Sequence, residues 1–137
     1  MVLGFEITGT ILEMGKIAYE KTGYQRGEIV VAHGYPDCGG FAEVCLVDYR
    51  GVFRLSKRVS MENAVVIIED YVSSLLALGR RIKIQNGEYF LVNSNTSRTA
   101  LAAIDLASRI FGAKPISICN DSIREEICYE LGAVAVI

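Results

Sequence analysis

From Gly87 onward the sequence reads strand, helix, strand, helix, strand, an order that few folds accommodate. Tyr89-Phe90-Leu91-Val92 is a continuous apolar run suited to a parallel strand covered on both faces. Ala100 to Phe111 has helical character with Gly112 as its C-cap, and Ile116-Ser117-Ile118-Cys119 is the next strand. Ser122 with Glu125 has the spacing of a capping box, and Ile123, Ile127 and Leu131 form an i, i+4, i+8 stripe that ends at Gly132. Ala133 to Ile137 begins a third strand. A parallel βαβαβ unit belongs to a larger sheet, so the chain is expected to stop where such a sheet is still growing.

The character before Ser60 is different. Phe5, Ile7, Gly9 and Ile11 alternate loosely within Gly4 to Met14, and the pattern stops at Gly15. Gly27-Glu28-Ile29-Val30-Val31-Ala32 follows, then a turn cluster from 34 to 40, then strand-like Phe41 to Asp48 and Val52 to Leu55. Short strands separated by glycine turns predict part of a β-barrel or sandwich. Ser60 is placed to cap a helix with Glu62 in its first turn, Ala64 to Leu78 continues it, and Gly79 is the expected stop. The expected division is a β-rich domain over 1–59, a helical connector over 60–86 and the βαβαβ part over 87–137.

Composition narrows the function classes. Fourteen basic and 16 acidic residues leave a net charge of −2, which excludes a nucleic-acid binder that relies on bulk positive charge. Arg80, Arg81 and Lys83 lack interleaved aromatics and read as a solvated loop. With 51% hydrophobic residues and a mean hydropathy of +0.32, some apolar surface is expected to meet a partner or further chain. No run approaches the roughly 18 uncharged apolar residues of a membrane helix, and the N-terminus lacks a signal-peptide pattern; the expected location is cytoplasmic. Cys38, Cys45, Cys119 and Cys128 have no C-x-x-C spacing, so reduced thiols are expected.

Taken in order, the elements resemble the zinc-independent branch of the medium-chain dehydrogenase/reductase superfamily, on its quinone oxidoreductase and enoyl-reductase side. The resemblance rests on Gly4-Phe5-Glu6-Ile7-Thr8-Gly9-Thr10-Ile11, Gly27-Glu28-Ile29-Val30-Val31, Gly39-Gly40-Phe41-Ala42-Glu43, Val59-Ser60-Met61-Glu62-Asn63-Ala64, Tyr71-Val72-Ser73, Gly87-Glu88-Tyr89-Phe90-Leu91-Val92, Ala102-Ala103-Ile104-Asp105-Leu106-Ala107 and Glu130-Leu131-Gly132-Ala133. It implies an α/β fold: the β-rich part of a GroES-like domain, then the first βαβαβ half of a Rossmann-type nucleotide-binding domain. Both flanks of the family's usual chain are missing, so the sequence corresponds to a central slice.

The resemblance also implies a chemistry. Zinc alcohol dehydrogenases have a His ligand within the first motif, where this chain has Phe5, which has no lone pair to give, so no metal site is expected. The only histidine, His33, reads as a turn-adjacent side chain rather than a ligand. No nucleophile or catalytic residue is assigned, because in this family the cofactor supplies hydride. The expected cofactor is NADPH and the expected substrate a small quinone or activated alkene or carbonyl.

The family's turn into the nucleotide-binding helix is A-x-x-G-x-x-G, with bare glycines that let backbone N–H groups reach the pyrophosphate. Here Ser94, Ser97 and Ala100 stand at those positions, with Arg98 and Thr99 between. A serine at a left-handed position would cost about 1–2 kcal/mol, and the Ala100 methyl would crowd a close approach. Ser97, Arg98 and Thr99 either hold phosphate oxygens through their side chains, or the turn is structural and no longer binds. Asn120 and Arg124 fall where the family holds the 2′-phosphate of NADPH. Arg124 is either that contact or a solvated helix charge paired with a nearby Glu. Tyr71 and Ser73 match the family's Tyr-Gly-Thr, whose Thr lies near the nicotinamide; alternatively they pack the connector helix. Two functions therefore stand: an NADPH-dependent reductase, and an inactive fragment or pseudoenzyme that binds a partner, including a second copy through the open sheet edge.

Overall fold

The computed structural model describes residues 2–34, 39–94 and 96–137, and divides into two compact units, Met1–Glu69 and Asp70–Ile137. In the first unit β1 (Glu6–Thr10), β2 (Ile29–His33) and β3 (Val52–Arg54) form an antiparallel sheet in that order. The register pairs Ile7 with Ala32 and Thr8 with Val31, then Val30 with Arg54 and Ala32 with Val52. Val30 and Ala32 are buried on one face of β2, the period-2 signature of a half-covered strand.

Two features of this unit differ from the sequence reading. A short helix, α1 (Lys16–Thr22), fills the stretch after Gly15 that carried no expected element; Gly23 ends it in a left-handed conformation, φ 63°, its N–H donating to the Tyr19 carbonyl. Phe41 to Asp48, expected as a strand, is not one. Gly40 and Phe41 donate their N–H groups to the Gly4 and Leu3 carbonyls, but the chain bends after that and Leu46 is 93% exposed. A strand needs a neighbouring strand for its backbone groups, and among the described residues this segment pairs with none. Of the turn cluster, residues 35–38 lie outside the described residues, as does Cys38.

The boundary between the units falls inside α2 (Met61–Leu75). Its start was correctly placed: the Ser60 hydroxyl accepts from the Asn63 N–H at 3.2 Å. Gly79 does not stop it. The helix widens into a π-helical segment, Leu76–Ile82, which Lys83 closes in a left-handed conformation of φ 53°. The bare Cα of Gly79 instead faces Phe111, whose ring would stand 3.3 Å from an added Cβ.

The rest of the second unit follows the expected order. β4 (Tyr89–Asn93), α3 (Arg98–Arg109), β5 (Lys114–Ile118), α4 (Ser122–Glu130) and β6 (Ala135–Val136) build a parallel sheet of order β4-β5-β6. Leu91 pairs with Ile116, and Ile116 with Ala135. Phe90 packs with Leu78, Ile84, Ala107 and Ala113, while Val92 packs with Ile104, Cys128 and Ala133. These contacts put α3 and α4 against one sheet face, and the other face of β4, Tyr89 and Leu91, is exposed.

Both details expected of α4 require correction. Its N-cap is Asp121, whose carboxylate accepts from the Arg124 N–H at 2.8 Å, so Ser122 is already helical. The buried face is set by Cys128 and not by the isoleucine stripe, since Ile123 is 71% exposed. Asp caps as well as Ser does, and starting one residue earlier leaves local pattern unable to choose between them.

Candidate functional site

The residues singled out in sequence gather where β4 hands over to α3, within the second unit. Ser94 directly follows the strand and has no exposed surface. Its hydroxyl lies 2.6 Å from that of Ser117 on β5 and 3.4 Å from the Cys128 thiol on α4, and also donates to the Ile118 carbonyl at 3.3 Å. A second contact of 3.4 Å joins Ser117 to Cys128. Ser94 therefore points into the core and anchors the turn from below. Asn95 lies outside the described residues.

Ser97 is the N-cap of α3. Its hydroxyl accepts from the Ala100 N–H at 3.1 Å, satisfying one of the donors that a helix N-terminus leaves open. Its backbone sits at φ −95°, ψ 122°. The expected left-handed strain is absent, because an N-cap residue takes extended dihedrals that serine adopts at no steric cost. The Ala100 methyl is buried at the spot where the family has a bare Cα.

The next two side chains turn toward α2. Thr99 donates to the Asp70 carboxylate at 2.6 Å, and the Arg98 guanidinium stands 3.3 Å from the other Asp70 oxygen. Asp70 is only 5% exposed. One turn further along α2, the Ser74 hydroxyl donates to the Thr99 carbonyl at 2.8 Å. Sequence reasoning passed over Asp70 and Ser74. The signal was there: an acid two residues after the apolar run Val65-Val66-Ile67-Ile68, with a serine four residues later on the same helix face, asks for a polar partner on whatever element covers that face.

Arg124 reaches the same turn from α4, donating through Nη2 to the Ser97 carbonyl at 2.9 Å. Arg124 is half-buried; it ties α4 to the cap of α3, and its Nε is buried without a hydrogen-bond partner. Asn120 is exposed in the loop before α4. The Tyr71 phenol donates to Asp105 on α3 at 2.9 Å, and Asp105 is also paired with Arg109 at 3.1 Å. Partial burial and that bond raise the Tyr71 pKa above the ordinary phenol value. Ser73 is exposed on α2. The turn thus brings together Ser94, Ser97, Arg98, Thr99, Ala100 and Arg124; Tyr71 belongs to a separate cluster on the same helix pair.

In the first unit Phe5 stacks edge-on against His33, ring centroids 5.4 Å apart. Among the described residues no three His, Cys, Asp or Glu side chains converge on a point that could hold a metal ion. No helix there is long and apolar enough to cross a membrane.

No protein-family model matches the chain. It is 31% identical over 130 residues to quinone oxidoreductase-like protein 2 of Rattus norvegicus, which covers 95% of this chain and 36% of the relative. A homologue in Nematostella vectensis is 29% identical over 136 residues, 99% of this chain and 36% of its own length. Among solved structures, a probable oxidoreductase from Mycobacterium abscessus superposes with a TM-score of 0.83 at 27% identity, over 97% of this chain and 41% of that one. Escherichia coli quinone oxidoreductase, solved in complex with NADPH, gives 0.88 at 22% identity over 98% of this chain and 40% of that one. Over nearly its whole length the chain is similar to part of the quinone oxidoreductase-like proteins of the medium-chain dehydrogenase/reductase superfamily. It spans about 36% of the length of the curated relatives it matches. The antiparallel and parallel sheets are the superfamily's GroES-like and Rossmann-type parts.

Against that fold the turn can be tested for NADP(H). A pyrophosphate needs free N–H donors and bare Cα atoms to approach. Here the Ala100 N–H is capped by Ser97, the Ala100 methyl is in place, and Thr99 and Arg98 are taken up by Asp70. The residues present do not fit the group.

Proposed function

We propose that this chain carries the scaffold of an NADPH-dependent, zinc-independent reductase of quinones or activated alkenes and carbonyls, in which dinucleotide binding, and with it activity, is weakened or lost. The observation that carries the reading is the self-satisfied start of α3, where Ser97 caps Ala100 and Asp70 takes Thr99 and Arg98. The family chemistry is supported by relatives named quinone oxidoreductase-like and by the NADPH complex of the Escherichia coli enzyme. The Phe in place of a zinc ligand supports zinc independence. A cytoplasmic location and no nucleic-acid or membrane partner accord with the charge and the absence of long apolar runs.

A second reading, a non-catalytic module that binds another protein or a second copy, is supported by β4, an edge strand of uncharged residues with Tyr89 and Leu91 exposed. Thermal shift separates the two. A dinucleotide at 100 times its dissociation constant stabilises by about 2.7 kcal/mol, which moves a melting point by several degrees. The expected result is no shift with millimolar NADPH; a clear, saturating rise would overturn the proposal.

A further inference from the structure

We infer that Asp70 is a built-in anion that keeps the start of α3 closed, and that removing its charge gives this turn an affinity for phosphate groups which the native chain lacks. The inference rests on the reading above that dinucleotide binding is weak or lost. It adds the cause.

A buried carboxylate is costly unless it is paired and hydrogen-bonded. Asp70, 5% exposed, accepts from the Thr99 hydroxyl at 2.6 Å through one oxygen, and its other oxygen, buried without a hydrogen bond, is ion-paired with the Arg98 guanidinium at 3.3 Å. It also faces the positive end of a 12-residue helix. A hydroxyl donor, a guanidinium and a helix N-terminus are what a protein offers to phosphate. In this chain the hydroxyl is given to a carboxylate on α2, and the guanidinium, itself largely exposed, is paired with the same carboxylate.

The arrangement makes phosphate binding a competition. A phosphate from solution would have to displace a carboxylate whose effective concentration is fixed by the fold, and intramolecular partners reach at least millimolar levels. The second tie between the helices, from Ser74 to the Thr99 carbonyl at 2.8 Å, carries no charge and uses neither anion-binding side chain. It would hold α2 against α3 after Asp70 is changed. Ser97 blocks one backbone donor and leaves the Thr99 and Arg98 side chains as the route to an anion.

The test uses the full chain, native and as Asp70→Asn and Asp70→Ala, titrated with inorganic pyrophosphate and with NADPH while backbone amide shifts are recorded. Asp70→Asn keeps the size of the side chain and an acceptor for Thr99, so it removes charge with little change of shape. Both variants are expected to bind pyrophosphate saturably, at least about tenfold tighter than the native chain, with shifts at Arg98, Thr99 and Ala100. Adding Arg98→Ala should abolish the gain. Silence of the native chain and both folded variants would overturn the inference and leave the proposed function standing. Tight NADPH binding by the native chain would overturn the proposed function itself. Loss of fold in both variants would show that Asp70 holds the unit together rather than closing its turn, and would also overturn the inference.

Discussion

Ser94, Ser117 and Cys128 form a closed polar triangle with no exposed surface, and such a triangle should respond to mutation in a non-additive way. Ser94→Ala removes the 2.6 Å partner of Ser117 and leaves that hydroxyl only the thiol at 3.4 Å. A thiol is a weak partner, so most of the desolvation cost of one hydroxyl is exposed, about 1–3 kcal/mol. Ser117→Ala costs less, about 1–2 kcal/mol by the same scale, because Ser94 keeps the Ile118 carbonyl at 3.3 Å. Removing both hydroxyls leaves two methyl groups in an apolar setting, so the double variant should lose no more than the costlier single one. The coupling is then about 1–2 kcal/mol. Urea unfolding of the full chain in reductant, followed by circular dichroism, measures it. With a slope of about 1–3 kcal/mol/M, a 2 kcal/mol loss moves the midpoint by about 1 M. Strictly additive losses, or a neutral Ser94→Ala, would refute the account of Ser94 as a buried anchor.

Gly132, at φ 102°, backs onto Ser108, whose Cβ would lie 2.7 Å from an added methyl. Gly132→Ala should therefore cost about 2–4 kcal/mol from backbone and overpacking together, read as a lowered urea midpoint. The raised Tyr71 phenol means that the native state holds that proton more tightly than the unfolded chain does. Its contribution to stability is full below the unfolded value and is lost as pH climbs through the raised native one; ultraviolet titration should show a late-ionising tyrosine that Tyr71→Phe removes. Elemental analysis of purified protein should find no stoichiometric zinc, and one tightly held ion per chain would contradict the reading of Phe5.

The second unit was legible because its signals are local and agree with one another. Apolar runs at Tyr89 and Ile116 and glycines at 112 and 132 bracket elements whose observed bounds differ by a residue or two. Phe41 to Asp48 was not legible, since its alternation describes what a strand needs and says nothing about whether a neighbour is there. Gly79 misled for a related reason: a glycine inside a helical run signals a stop locally, but here it serves the Phe111 ring from another helix end. In the site, Ser97, Arg98, Thr99 and Arg124 were found from motif position alone. What Arg98 and Thr99 bind was not, because it depends on Asp70, 29 residues from Thr99. The expected strain at Ser97 failed on the same ground, since cap dihedrals are set by how α3 begins and not by the residue that the family has there.

The central claim is that the start of α3 is closed to a dinucleotide. Calorimetric titration of the full native chain with NADPH, repeated with NADH, tests it most directly. The account predicts no saturable heat for either nucleotide at concentrations well above those at which a working site would fill. Tight, stoichiometric NADPH binding, weakened by Arg124→Ala more than NADH binding is, would contradict it and establish Arg124 as a contact to the 2′-phosphate.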